Sequence, residues 1–227
     1  MGHNWTHNFN IRLKVEEGSA HITYEDGHVE TFAERSKDSY ISPPESRNTL
    51  RKAGNSHFLI TQAKESYEFD EDGLLREILD LNANKTKLTY ENGLLTRVEN
   101  PCGYFEFTYD SSSKLTKLTD HTGREVGYRY NNGCLTGVVQ PNGAEYKYSY
   151  GENGLLGGIE NPMGIISLKN EYDPHGRMMK QSFPDGGTMG YRYEDDEKRT
   201  VFTQQNGGEI AYKRDDRYRT TEIRYGL

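Results

Sequence analysis

Between residues 92 and 109 apolar and polar positions alternate with the two-residue period of a strand, broken only at turn residues. Asn92-Gly93 is a turn, Leu94 to Val98 is a short apolar–polar run, and Asn100-Pro101-Cys102-Gly103 turns the chain again. Phe105, Phe107 and Tyr109 then alternate with Glu106 and Thr108, so the stretch predicts one β-hairpin. The same unit recurs toward the C-terminus. The last aromatic before each opening turn falls at Phe69, Tyr90, Tyr109, Tyr130, Tyr150, Tyr172, Tyr193 and Tyr212, with gaps of 21, 19, 21, 20, 22, 21 and 19. The mid-unit glycines Gly103, Gly123, Gly143, Gly164, Gly187 and Gly208 keep step, with gaps of 20, 20, 21, 23 and 21. Two markers sharing one period identify a repeat architecture.

Gly73, Gly93, Gly133, Gly154 and Gly176 open the units, where glycine supplies the positive φ of a tight turn. In second strands such as Tyr146-Lys147-Tyr148-Ser149-Tyr150 the aromatics share one face, and neighbouring strands are expected to align them in ladders. No stretch has a helical period. Residues 1–66 lack the clean repeat but hold strand and hairpin signals, among them Asp26-Gly27 between two apolar runs. The expected organisation is a β meander over 1–66, leading into or capping an array of about seven units over 67–227, the last one incomplete. The expected fold is all-β: tandem hairpins forming a curved, open, single-layer sheet. The strand around Gly208 to Tyr212 is expected to lie at the sheet edge. Its unpaired backbone would favour self-association or fraying, opposed by the charges of Lys213 to Arg217.

Composition sharpens this picture. Hydrophobic residues make up 33% of the 227, and seventeen are tyrosines against eight Phe and one Trp. Two packed sheets would need more Val, Ile and Leu facing inward, so a single layer wet on at least one face is expected. The net charge of −7, with both signs interspersed, argues against a nucleic-acid or anionic-membrane surface. No apolar run is long enough to span a membrane, and the polar start shows no signal peptide in this segment. Cys102 and Cys134 occupy different unit positions and are expected as free thiols.

Candidate chemistry is sparse. His3, His7, His21 and His28 match no common metal-ligand spacing. The pairs Gly157-Gly158, Gly186-Gly187 and Gly207-Gly208 lack the Lys-Ser/Thr and helix of a phosphate loop. Asp70-Glu71-Asp72 lacks the rest of a calcium loop, and no nucleophile elbow supports a catalytic triad. No catalytic residue, cofactor or metal is expected. The tyrosines could stack on sugars, although their plain use is packing.

Tyr172-Asp173-Pro174-His175-Gly176-Arg177-Met178 resembles, nearly residue for residue, the Tyr-Asp-x-x-Gly-Arg-Leu unit of the RHS, or YD, repeat family. Tyr109-Asp110 begins another copy, and Gly2 to Phe9 is similar to the Gly-x-x-Trp-x-His-Asn-aromatic stretch that opens the family's repeat region. The resemblance covers essentially the whole chain. It implies a structural role: in RHS proteins, and in the related toxin-complex and teneurin shells, hairpins spiral into a hollow β cocoon. In the bacterial polymorphic toxins the cocoon holds a C-terminal toxin domain until delivery, in interbacterial competition. This chain departs from the pattern in lacking a toxin domain and a closing segment with self-cleaving aspartates. Asp173-Pro174 is read as a unit-opening turn, because the repeats continue after it. The implied function is a non-catalytic segment, the beginning of such a shell or a short orphan copy, within a secreted or cell-surface bacterial protein. The implied partners are the rest of the shell and its toxin cargo. The alternative is a carbohydrate or cell-surface binding module comparable to choline-binding repeats. Those rely on tryptophan cages, however, and Trp5 lies outside the array. An enzyme is a distant third.

Overall fold

A computed structural model describes residues 1–2, 5–151 and 153–226. The described residues form 22 strands and no helix, and all the strands belong to one sheet. The chain divides into two compact units, Met1–Tyr128 and Arg129–Leu227.

In the first unit the strands are β1 (Arg12–Glu16), β2 (Ser19–Thr23), β3 (Val29–Ser36), β4 (Ser39–Ile41), β5 (Thr49–Ala53), β6 (Ser56–Ile60), β7 (Ser66–Phe69), β8 (Leu75–Leu79), β9 (Lys85–Glu91), β10 (Leu94–Asn100), β11 (Gly103–Tyr109) and β12 (Leu115–Asp120), with β13 (Glu125–Asn131) reaching past its end. Each of β1 to β12 pairs antiparallel with its successor. Turn chemistry sets the register. Asn92 and Gly93, at φ 51° and 77°, make the two-residue turn that places Leu94 opposite Glu91.

The first unit curls on itself. Arg12 forms an antiparallel bridge with Leu74, and the Leu13 N–H donates to Gly73 O at 3.0 Å, so the first strand meets the start of the eighth. Gly73 permits this approach: a Cβ there would lie 1.9 Å from the Leu13 carbonyl oxygen. Curling buries one face. Ile22, Phe32, Leu59, Phe69 and Leu75 are fully enclosed there, each contributing on the order of 1.5–3 kcal/mol of transfer free energy. A sheet poor in aliphatic residues thus obtains a dry core by closing on itself, without a second layer.

The second unit holds β14 (Cys134–Val139), β15 (Glu145–Tyr150), β16 (Leu156–Glu160), β17 (Ile166–Tyr172), β18 (Met178–Ser182), β19 (Thr188–Glu194), β20 (Arg199–Thr203), β21 (Glu209–Arg214) and β22 (Thr220–Tyr225), again paired in succession. Fewer apolar side chains are enclosed here: Leu135, Val201 and Ala211 are buried, whereas Tyr146, Ile223 and Tyr225 are exposed.

The expected edge at Gly208 to Tyr212 is corrected by the structure. β21 lies between β20 and β22, and the Gly226 N–H donates to Glu209 O at 3.0 Å. The turn that returns the chain is Asp215-Asp216-Arg217-Tyr218-Arg219, which has no glycine; Tyr218 itself takes the positive φ, 59°.

Candidate functional site

The repeating feature of the fold is the unit-opening turn. At Asp173 one carboxylate oxygen accepts the backbone N–H groups of His175 and Arg177, both at 2.9 Å. The other oxygen accepts Arg177 Nε–H at 2.7 Å. Gly176 takes φ 78° so that the chain can close under the carboxylate. Asp120 repeats the arrangement in a mid-unit turn with Thr122 N–H, Arg124 N–H and Arg124 Nε–H, and Asp215 repeats it at the last opening turn with Arg217 and Arg219. The spacing explains the Asp-x-x-Gly-Arg signature. Asp caps two backbone donors, Gly or a left-handed substitute turns the chain, and Arg four residues on returns to the free oxygen.

These contacts favour the carboxylate form. The Thr122 hydroxyl, opposed by desolvation and reinforced by Arg124, holds the Asp120 carboxyl well below its usual range. Burial pushes Asp173 up, but the Arg177 backbone N–H and guanidinium outweigh it and leave Asp173 lowered. The Arg219 side chain, then its N–H, lowers Asp215. Arg177 also reaches the next unit. Its Nη1 donates to both oxygens of Asp195 at 2.9 and 2.8 Å, its guanidinium lies 4.2 Å from the Tyr193 ring centre, and Arg214 approaches Asp195 at 3.3 Å. Ion pairs thereby link successive unit openings.

The tyrosine of the signature links units through its hydroxyl. Tyr109, Tyr150, Tyr172 and Tyr193 donate to the carbonyls of Leu95, Leu135, Leu156 and Met178 at 2.8, 2.6, 2.9 and 2.9 Å. Each acceptor follows the opening turn one repeat earlier. The ring is half-buried while its polar tip satisfies the strand behind it. Phe69 stands at this place without a hydroxyl and is fully buried, and Tyr90 lies under the guanidinium groups of Arg12 and Arg76. Tyr130 closes β13 before Asn132-Gly133. Tyr212 lies two residues before Arg214, which occupies the tyrosine's position ahead of Asp215.

Gly73, Gly93, Gly133, Gly154 and Gly176 all take positive φ, and Ser113 does the same in the unit that lacks an opening glycine. Gly123, Gly143 and Gly164 do so at mid-unit. In the last two repeats the positive φ belongs to Gly186 and Gly207, one residue before Gly187 and Gly208. Gly103 takes the more extended φ of 149° after the Pro101-Cys102 turn.

The faces divide by chemistry. One carries cross-strand ion pairs, Arg97–Glu106 at 2.6 Å, Lys117–Glu125 at 2.7 Å, Arg129–Glu145 at 3.0 Å and Lys147–Glu160 at 2.8 Å. The other carries the aromatics, but their direct strand neighbours are mostly aliphatic: Phe107 faces Leu118, Tyr146 faces Val138, and Tyr148 faces Ile159. Each repeat contributes one aromatic and one aliphatic strand, so the expected direct ladders give way to alternation. Tyr191 and Phe202 do pair directly, at 5.1 Å. An open groove of about 630 Å³ crosses Gly157-Gly158, lined by Lys147, Tyr148, Ser149 and Lys169 among others.

The histidines occupy separate settings. His7 packs at a tilt near Phe107, His21 lies between the Ser19 and Thr31 hydroxyls, and His28 stacks on Tyr24; His3 lies outside the described residues. Asp70 forms an opening turn, accepting from Asp72 N, Leu74 N and Arg76 Nε. Both cysteines are free, Cys102 exposed in a turn and Cys134 opening β14. Among the described residues no helix is long and apolar enough to cross a membrane.

The fold is similar to part of the crystal structure of TcdB2-TccC3, with a TM-score of 0.50 and 10% identity. The similarity covers 91% of this chain, which spans only 15% of that one. A Tc holotoxin pore from Photorhabdus luminescens aligns over 90% of this chain and 15% of its own at 12% identity, with a TM-score of 0.37 that is too low to support a fold comparison. No family model matches the chain, and no curated protein matches it in sequence.

Proposed function

We propose that this chain is a non-catalytic segment of an RHS-type shell that encloses a C-terminal toxin domain and helps deliver it. The observation that carries the reading is the repeated opening turn, in which Asp binds its own turn and Tyr reaches back one repeat. A wall built this way can be lengthened unit by unit, since each addition satisfies its polar groups against the unit before. Fold similarity to a 15% stretch of TcdB2-TccC3 fits a segment of a much longer wall. The repeated aspartates already accept two backbone donors and, in Asp120, Asp173 and Asp215, an arginine, which suits scaffolding better than proton transfer.

The gene surrounding this coding segment provides the test. Further units of about 21 residues, followed by a C-terminal domain that resists protease in the full-length protein and is digested when expressed alone, are expected. A gene whose repeats enclose no such protected domain would overturn the reading. The groove over Gly157-Gly158 supports the carbohydrate-binding alternative. Saturable binding on a glycan array, lost in Tyr148→Ala, would favour it.

A further inference from the structure

In the first unit the N-terminal segment passes over the β9–β10 and β11–β12 turns, leaving a polar cavity of about 130 Å³. Trp5, Thr6, His7, Arg12, Tyr109 and Ser113 are among its lining residues, and no acidic side chain is. Arg12 and Arg76 share the Tyr90 ring, at 5.3 and 5.0 Å from its centre. Arg76 is neutralised by Asp70 at 2.5 Å. Among the described residues Arg12 has no such acceptor, and its Nη1 is buried without a hydrogen bond. Guanidinium donors withdrawn from water without a partner are costly, and the fork they form matches two oxygens of a carboxylate or phosphate. Lys114 is adjacent, with Nζ 3.5 Å from Met1 O. His7 adds no compensating charge, because its Nδ1 accepts the Phe9 N–H at 3.2 Å and the ring is therefore neutral at that nitrogen. The positive groups press on one another. Burial, the chain's amino group and Arg12 together bring His7 down to about 4.

We propose that this cavity binds a compact oxyanion, a phosphate or carboxylate group, gripped by Arg12 with Lys114 and the Ser113 hydroxyl beside it. The volume admits such a group, which needs the space of a few waters. The site rests on residues inside the chain and does not depend on the amino group of Met1 or on the shell reading. A protein of net charge −7 that leaves cations unopposed around a cavity has the charge pattern of a binding site.

The experiment titrates the protein with inorganic phosphate, and separately with acetate, at constant ionic strength against sodium chloride. Melting temperature and the imidazole NMR signals of His7 are followed. Saturation is expected for at least one anion, with the His7 pKa moving upward as negative charge enters. Arg12→Gln should weaken the response at least tenfold, and Lys114→Ala several-fold. Phosphate acting alone assigns a phosphate ligand, and acetate acting alone assigns a carboxylate. If Arg12→Gln fails to fold, Lys114→Ala and the His7 signal still decide. No saturable difference from chloride, or an undiminished response in the variants, would mean an adventitious ion only and would overturn the proposal.

Discussion

Two residue types carry the repeat, and each can be tested by removing a few atoms. Tyr193→Phe deletes the only hydroxyl described as donating to Met178 O and should cost about 0.5–1.5 kcal/mol. Tyr172→Phe should cost less, because Asn170 Nδ2–H also donates to Leu156 O, at 3.1 Å. Urea unfolding of both variants measures the contrast, and equal losses would show that the hydroxyl is not what binds the units. Glycine is needed for two different reasons. Gly143→Ala meets open space and carries only the strain of φ 83°, about 1–2 kcal/mol. Gly73→Ala would drive a Cβ into the Leu13 carbonyl as well, and is expected to unfold or displace β1. The positive φ of both glycines was legible in the sequence. The contact of Gly73 with Leu13 was not, because it joins residues far apart in the chain.

At the scale of the element, the Asp turn, half-buried His7 and buried His57 predict two phases of acid destabilisation. A histidine normally takes up its proton near 6.5, but His7 does so at about 4. The fold therefore favours neutral His7, a contribution complete above 6.5 and lost as pH falls from 6.5 toward 4. His57, lowered by burial and then Lys52, with its Nδ1 buried and unpartnered, acts in the same direction. Asp120, Asp173 and Asp215 are lowered from 3.8, so their contribution is complete above that value and lost only at lower pH. Melting temperature followed against pH should fall in the first window and again below about 4. His7→Asn, which retains an acceptor for Phe9 N–H, should flatten the first fall and leave the second. An unchanged slope between pH 6.5 and 4 would count against the assignment.

The element scale also separates what the sequence disclosed from what it hid. Hairpins with glycine turns were legible because positive φ restricts residue choice. The final turn was missed because Tyr218 replaces glycine; Asp215 and Arg219, four residues apart as in Asp173 and Arg177, were the remaining signal. The aromatic ladder was misread for another reason. The period fixes which residues are equivalent, but equivalent strands are second neighbours, separated by an aliphatic one.

For the whole molecule, the contrast between units predicts unequal protection. The first unit encloses Ile22, Phe32, Leu59 and Phe69, whereas in the second several large apolar side chains remain exposed. Amide hydrogen exchange should be slowest in β2, β6 and β8, and faster in β15 and β17. Uniform protection along the chain would show that the enclosed core is not what stabilises it. The sequence could not reveal this contrast, since apolar residues occur in both regions; the difference lies in whether the sheet closes.

The closure of β1 on Gly73 has a kinetic consequence. Nearly all strand pairings join immediate neighbours and give the chain a low contact order, so they can zip rapidly from one hairpin to the next. The bridge between Arg12 and Leu74 instead spans 62 residues, and bringing those ends together costs roughly 3–4 kcal/mol of loop entropy. That step should govern folding of the first unit. During synthesis it becomes possible once β8 has left the ribosome, while most of the array has still to be translated. The bridged first unit would then be the nucleus onto which later hairpins are laid, and the order of assembly would follow the order of translation.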